Sequence, residues 1–262
     1  VENFPGYPEG VSGNQMMADL RAQAERLGTD IRYGMVTEAD LSERPFKVTI
    51  DDEKVLEAET LIIATGATAR YLGLPSESKF RGMGVSACAT CDGFFYRGKT
   101  VAVVGGGDTA CEEALYLASL CKKVYMVVRR DVFRASKAMQ ERIAATDNIE
   151  VLWNSNTQEV LGDDMGVTGM RLFRKDGVVY EKAIDGFFLA IGHHPNSDLF
   201  KEWITTDENG YIVTDGRSSK TNVSGVFAAG DVQDPNYRQA ITAAASGCKA
   251  ALDAEKFILE NK

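Results

Sequence analysis

Histidine is nearly missing from this sequence: 262 residues contain two, the neighbours His193 and His194. Side chains of adjacent strand residues point apart, so there is no spaced histidine pair for a zinc site, and no metal is expected. Long apolar runs are missing too, none approaching the roughly 20 residues that span a bilayer, and nothing at the start reads as a signal peptide. Positive charge is in deficit. Lys and Arg number 29 against 38 Asp and Glu, a net charge of −9, which argues against nucleic acid or an anionic membrane as the main partner. Internal repeats and low-complexity tracts are absent. The five cysteines are odd in number and mostly scattered, unlike a secreted disulfide scaffold, so a reducing cytoplasm is the expected compartment.

What is present centres on Cys88-Ala89-Thr90-Cys91-Asp92-Gly93. Two cysteines at this spacing can close a small disulfide and reopen it, and the carboxylate of Asp92 is placed to give or take the protons. The competing reading is half of a structural zinc site, which needs two further ligands. Cys111, Cys121 and Cys248 stand alone, which favours redox chemistry.

The length suits one large or two ordinary domains. A helix is expected from Asn14 to Leu27, then short strands at Ile31–Val36, Phe46–Ile50 and Val55–Ala58. Thr60–Ala64 reads as a strand buried on both faces. Ala67–Arg81, with Pro75, reads as a loop-rich hinge. Next comes a βαβ unit: strand Thr100–Val104, helix Asp108–Leu120 and strand Lys123–Val128. Short strands follow from Glu150 to Glu181, then a buried run from Gly186 to Ile191. A last strand at Gly225–Ala229 precedes a helix from about Arg238 to Leu259.

Gly105-Gly106-Gly107-Asp108-Thr109-Ala110 fits G-x-G-x-x-A between that strand and helix. Gly105 permits the tight turn, Gly107 and its neighbour allow close approach to a pyrophosphate, and the helix start at Asp108 and Thr109 presents free N–H groups. About 20 residues on, NAD sites carry an acidic residue for the ribose hydroxyl, whereas a 2′-phosphate requires arginine. Arg129, Arg130 and Arg134 cluster there, so NADPH is the expected nucleotide. A flavin can bridge hydride transfer and dithiol chemistry. The Thr65-Gly66 and Gly230-Asp231 turns are candidate flavin segments, weak signals by themselves because a Gly-Asp turn is more often just a turn.

Taken together, Cys88 to Tyr96, the glycine turn with Glu112-Glu113, Arg129-Arg130-Asp131 with Phe133-Arg134-Ala135, Gly225 to Val232, and Tyr237-Arg238-Gln239-Ala240 resemble the low-molecular-weight, bacterial-type thioredoxin reductases. The redox pair within the pyridine-nucleotide domain separates this type from the larger glutathione reductase-like enzymes. The resemblance implies an α/β fold of two doubly wound Rossmann-like domains, the NADPH domain inserted into the FAD domain. Residues 1–66 and 196–262 would form the FAD domain, and 67–195 the NADPH domain with the cysteine pair. It further implies Asn3, Gly230, Asp231, Arg238, Gln239 and Ala240 around FAD. Electrons would pass from NADPH through FAD to the Cys88–Cys91 disulfide and on to thioredoxin. Cys91 would face the flavin, Cys88 would attack the partner, and Asp92 would manage protons. A homodimer is the family expectation. The family opens with a G-x-G-x-x-G turn for the FAD pyrophosphate that this sequence does not show, so a segment preceding Val1 is expected. Rival readings are a related flavoprotein serving another disulfide partner, and a non-catalytic NADPH-binding module.

Overall fold

A computed structural model describes residues 1 and 3–261. The chain divides into two compact units, residues 1–68 with 194–262, and residues 69–193.

In chain order the elements begin with helix α1 (Gly13–Arg26), capped by Ser12, whose Oγ accepts the Gln15 N–H at 3.2 Å. Strands β1 (Val36–Asp40), β2 (Phe46–Ile50) and β3 (Lys54–Ala58) form an antiparallel meander. Strands β4 (Leu61–Ile63) and β5 (Ala67–Ala69) lead to α2 (Pro75–Phe80), β6 (Val85–Ser86) and α3 (Ala89–Asp92). Then come β7 (Thr100–Val104), α4 (Asp108–Leu120), β8 (Lys123–Val127), α5 (Lys137–Ala144) and β9 (Ile149–Leu152). Three longer strands, β10 (Ser155–Asp163), β11 (Gly166–Arg174) and β12 (Val179–Ala183), pair antiparallel. The chain ends through β13 (Gly186–Leu189), β14 (His193–Pro195), β15 (Val226–Ala228) and α6 (Ala240–Glu260).

Unit 69–193 is built on a five-stranded parallel sheet in the order β6-β13-β7-β8-β9. Its central strands are apolar on both faces because both are covered. Val101, Val103, Val124, Met126 and Phe188 pack with Ala110, Ala114 and Leu117 of α4. Alternate residues Ala102, Val104, Phe187 and Leu189 pack with Met170 and Leu172 of the β10–β12 meander. One face therefore carries helices and the other an antiparallel sheet. In the other unit β4 and β15 pair in parallel, and Phe46, Ile63, Phe200, Ile204 and Val226 form the core.

The fold class follows the expectation, with local corrections. Residues 31–35 are irregular, and the strand begins only at Val36. Ile62 of β4 is 37% exposed, so this strand is not buried on both faces. The supposed loop over Ala67–Arg81 contains β5 and α2; Pro75 starts the helix, at a position where its missing N–H costs nothing. Helix α5 was not anticipated.

Glu77 of α2 is 1% exposed. Its carboxylate accepts the N–H groups of Leu72 (3.1 Å) and Leu74 (2.9 Å). Glu77→Ala should lower stability by about 2 kcal/mol in urea unfolding, because two backbone donors lose their acceptor, with a smaller loss for Glu77→Gln.

Burial, with Asp108 and Glu112 nearby, pushes the Cys111 thiol up to about 11, and burial with Asp185 does the same to Cys121. Unfolded thiols ionise near 9. Their contribution to stability should thus be complete below pH 9 and be lost as the pH rises through 11. At pH 8 iodoacetamide should modify the exposed Cys248 and spare both buried thiols, as peptide mass spectrometry will read.

Candidate active site

The sheet order brings separate motifs of unit 69–193 to one edge. Strands β6, β13, β7 and β8 are parallel, so the segments that follow them all leave at the carboxyl ends. This is where open α/β sheets bind ligands. Cys88 follows β6, Gly105 follows β7, Ala190 follows β13 and Arg129 follows β8.

Cys88 and Cys91 form a disulfide with Cα atoms 5.3 Å apart. Cys88 is half-buried at the N-cap of the short α3, and Cys91 is exposed. The Cys91 N–H donates to Cys88 Sγ at 3.2 Å, a contact that favours negative charge on this sulfur when the bond opens. Asp92 is half-buried, and its Oδ2 accepts the Ser86 hydroxyl at 2.6 Å. Both residues line a cavity of about 480 Å³ with Phe95, Tyr96, Lys99 and Asp185. Burial pushes the Tyr96 phenol above its ordinary value, helped by the charges of Asp92 and Asp185. Tyr96 is thereby held neutral, and the carboxyl of Asp92 is the acid group that follows the pair directly in the chain.

A second cavity, of about 450 Å³, is lined by Gly105, Gly106, Arg129, Arg130 and Arg134. Gly105 has φ +147°, and a Cβ there would sit 2.4 Å from the Ala190 carbonyl oxygen and 2.8 Å from Ala110 Cβ. Only glycine allows this turn. The Gly106 carbonyl accepts the N–H groups of Arg134 (2.7 Å) and Ala135 (3.2 Å), tying the basic loop to the turn. Asp108 accepts the Ser136 N–H at 2.9 Å, and this bond holds its carboxyl below the usual range. Gly107, Asp108 and Thr109 lie at the start of α4 outside the cavity lining, where Asp108 anchors the loop. Sequence reasoning missed Arg70, Asn156 and Thr157, which also line this cavity. Among the described residues, the buried Thr157 Oγ1 has no hydrogen-bond partner. Four arginines, a glycine cradle and an unsatisfied hydroxyl fit a phosphorylated dinucleotide.

In unit 1–68/194–262, the turns after the parallel strands β4 and β15 share one edge. Gly66 and Gly230 have φ +73° and +74°. The Gly230 N–H donates to Ser246 Oγ at 2.8 Å, a contact with α6 not foreseen from the sequence. Burial raises the Asp231 carboxyl, while Arg238 opposes the shift. Asn3 Nδ2 donates to Gln239 Oε1 at 2.9 Å, uniting candidates 236 positions apart. Arg238 has φ +41° and donates to the Pro235 carbonyl, and Ala240 starts α6. Paired glycine turns with a half-buried carboxylate between strand and helix fit the ribityl and phosphate region of a flavin nucleotide. Among the described residues no group of three or more His, Cys, Asp or Glu is placed to hold a metal ion.

Residues 3–247 match the family model described as pyridine nucleotide-disulphide oxidoreductase. A thioredoxin reductase of Coxiella burnetii is 50% identical, the match covering 98% of this chain and 83% of the relative. A Pseudomonas fluorescens protein named glucosaminate ammonia-lyase is also 50% identical, over 98% of this chain and 82% of the relative. The solved structure of thioredoxin reductase from Giardia duodenalis superposes with a TM-score of 0.92 at 45% identity, covering 99% of this chain and 85% of that one.

Proposed function

The chain belongs to the thioredoxin reductases of the pyridine nucleotide-disulphide oxidoreductase family, and from this premise we propose how its residues share the work. It is an enzyme that uses NADPH and FAD to reduce a disulfide. Residues 67–195 bind NADPH and carry the redox pair, and residues 1–66 with 196–262 bind FAD. Bound FAD would supply the two-electron redox chemistry that links a nicotinamide to a dithiol.

One observation carries the reading: the closed Cys88–Cys91 disulfide shares a sheet edge with a four-arginine nucleotide cavity. Arg129, Arg130 and Arg134 would hold the 2′-phosphate through charge-assisted hydrogen bonds, and the turn at Gly105 would receive the pyrophosphate. Arg70, which follows β5, and Thr157 of β10 line the same cavity and would complete the hold on the nucleotide. Asn3, Gly230, Asp231, Arg238, Gln239 and Ala240 would hold FAD. Cys91 would be the member of the pair that is reduced first. Cys88, whose sulfur receives the Cys91 N–H, attacks the disulfide of thioredoxin, and Asp92 exchanges the protons.

The ammonia-lyase name of one relative favours no second reading. Elimination of ammonia moves no net electrons and has no use for a dithiol, whereas the closed pair here is a two-electron store. Thioredoxin, the cytoplasm and a homodimer complete the proposal. A net charge of −9 agrees with a protein partner, and no helix among the described residues is long and apolar enough to cross a membrane. The test is the FAD-loaded enzyme with oxidised thioredoxin: NADPH oxidation should track the appearance of thioredoxin thiols one for two. Nicotinamide consumption without thiol formation would defeat the assignment.

A further inference from the structure

We propose that Ser86 is a positioning residue that holds Asp92 in one place through both of its protonation states. The proposal rests on the reading of Asp92 as the proton-exchanging group of the dithiol.

Ser86 ends β6, is 8% exposed and has its backbone registered beside Phe188 of β13. Its oxygen accepts the Cys88 N–H at 3.1 Å. Its hydroxyl has two acceptors within reach, Asp92 Oδ2 at 2.6 Å and the Cys88 carbonyl oxygen at 3.4 Å. A serine hydroxyl carries one donor and two acceptor sites. When Asp92 is ionised, the hydroxyl proton goes to its carboxylate. When Asp92 is protonated, its own O–H donates to Ser86 Oγ, and the serine proton turns to the Cys88 carbonyl. The Cys88 N–H stays bound throughout. The acid thus keeps a hydrogen bond to the same oxygen before and after each transfer, with only a hydroxyl rotation between the two states.

The outward half-reaction uses this twice. A proton leaves the Cys88 thiol for Asp92, and the thiolate attacks the partner disulfide. A Cys88–S bond forms, one partner S–S bond breaks, and the departing sulfur takes the proton from Asp92. Loss of the Cys91 proton to Asp92 then lets Cys91 attack Cys88 Sγ. The internal disulfide closes, and the second partner sulfur leaves with that proton. Two electrons pass to the partner and no net proton is released.

The test compares disulfides that differ in how much their leaving sulfur needs a proton. Dithiothreitol-reduced holoenzyme, freed of reductant, is mixed with 2-hydroxyethyl disulfide, whose leaving thiolate is basic, or with 5,5′-dithiobis(2-nitrobenzoate), whose leaving thiolate is stable unprotonated. Ser86→Ala should slow exchange with the first at least about tenfold more than with the second, because the base step is common to both and only the first needs the general acid. Ser86→Thr, which keeps the hydroxyl, should restore the rate with the first disulfide. Equal losses with both disulfides would show a general structural defect and overturn the proposal, as would no loss with either, or failure of Ser86→Thr to rescue when its melting temperature matches the parent. Neither thioredoxin nor NADPH enters the assay. Failure of the enzyme assignment would therefore appear as absent thioredoxin turnover by the parent protein, separately from this outcome.

Discussion

Cys91→Ser is expected to leave flavin and NADPH binding intact and to abolish thioredoxin reduction. The substitution changes one exposed atom, and neither cysteine lines the arginine cavity, so the nucleotide site should persist. Without Cys91 no internal disulfide can form, and the two-electron store is lost. The remaining Cys88 thiol still has an electron partner outside the protein. It should form a mixed disulfide with oxidised thioredoxin that persists, because the resolving sulfur is missing. Turnover should fall at least about a thousandfold, a loss of the order seen when a covalent-catalysis nucleophile is removed. The measurement is thioredoxin thiol release in steady state, with trapping of the mixed disulfide on a non-reducing gel. Undiminished turnover would refute the dithiol mechanism.

The second large effect concerns nucleotide choice. Replacing Arg129 and Arg130 by alanine should weaken NADPH binding about a hundredfold and leave NADH binding nearly unchanged. On the proposed assignment each arginine would supply a charge-assisted hydrogen bond of about 1.5 kcal/mol to the 2′-phosphate, and the two together about 3 kcal/mol, near two decades in affinity. NADH lacks that phosphate and has nothing to lose there. Titration calorimetry with both nucleotides separates the cases. Equal losses would mean that the arginines act elsewhere on the nucleotide. The bond from Arg134 to Gly106 is made by its main-chain N–H, so Arg134→Ala should keep the loop tied to the turn and remove only the guanidinium.

The parts legible in the sequence are those whose chemistry is local. The glycine turn announces itself because the constraint at Gly105 is steric, a missing Cβ 2.4 Å from a carbonyl. The redox pair is legible because four consecutive residues close the disulfide. What escaped depends on strand order. Arg70, Asn156 and Thr157 reach the nucleotide cavity only because β6, β13, β7 and β8 lie side by side and the β10–β12 meander covers one face of the sheet. Ser86 carries no signal in the sequence, since its hydroxyl comes to lie between Cys88 and Asp92 only through the fold. Two misses had local signals. Pro75 with Glu77 marks a helix start, since proline suits the first turn and the carboxylate can gather backbone donors. Ser136 followed by Met139 and Ile143 marks α5 by a cap residue and an i, i+4 apolar pair. Ile62 failed for the opposite reason. An apolar run says that a strand prefers burial, while its exposure depends on whatever covers the sheet.

The central claim is that NADPH opens the Cys88–Cys91 disulfide. Its most direct measurement is differential alkylation of the FAD-loaded enzyme under anaerobic conditions, before and after one equivalent of NADPH, read by mass spectrometry of the peptide carrying both cysteines. The account predicts that this peptide is unlabelled before NADPH and gains two labels afterwards, with Cys111 and Cys121 unchanged. A peptide that stays unlabelled while the nicotinamide is consumed would contradict it.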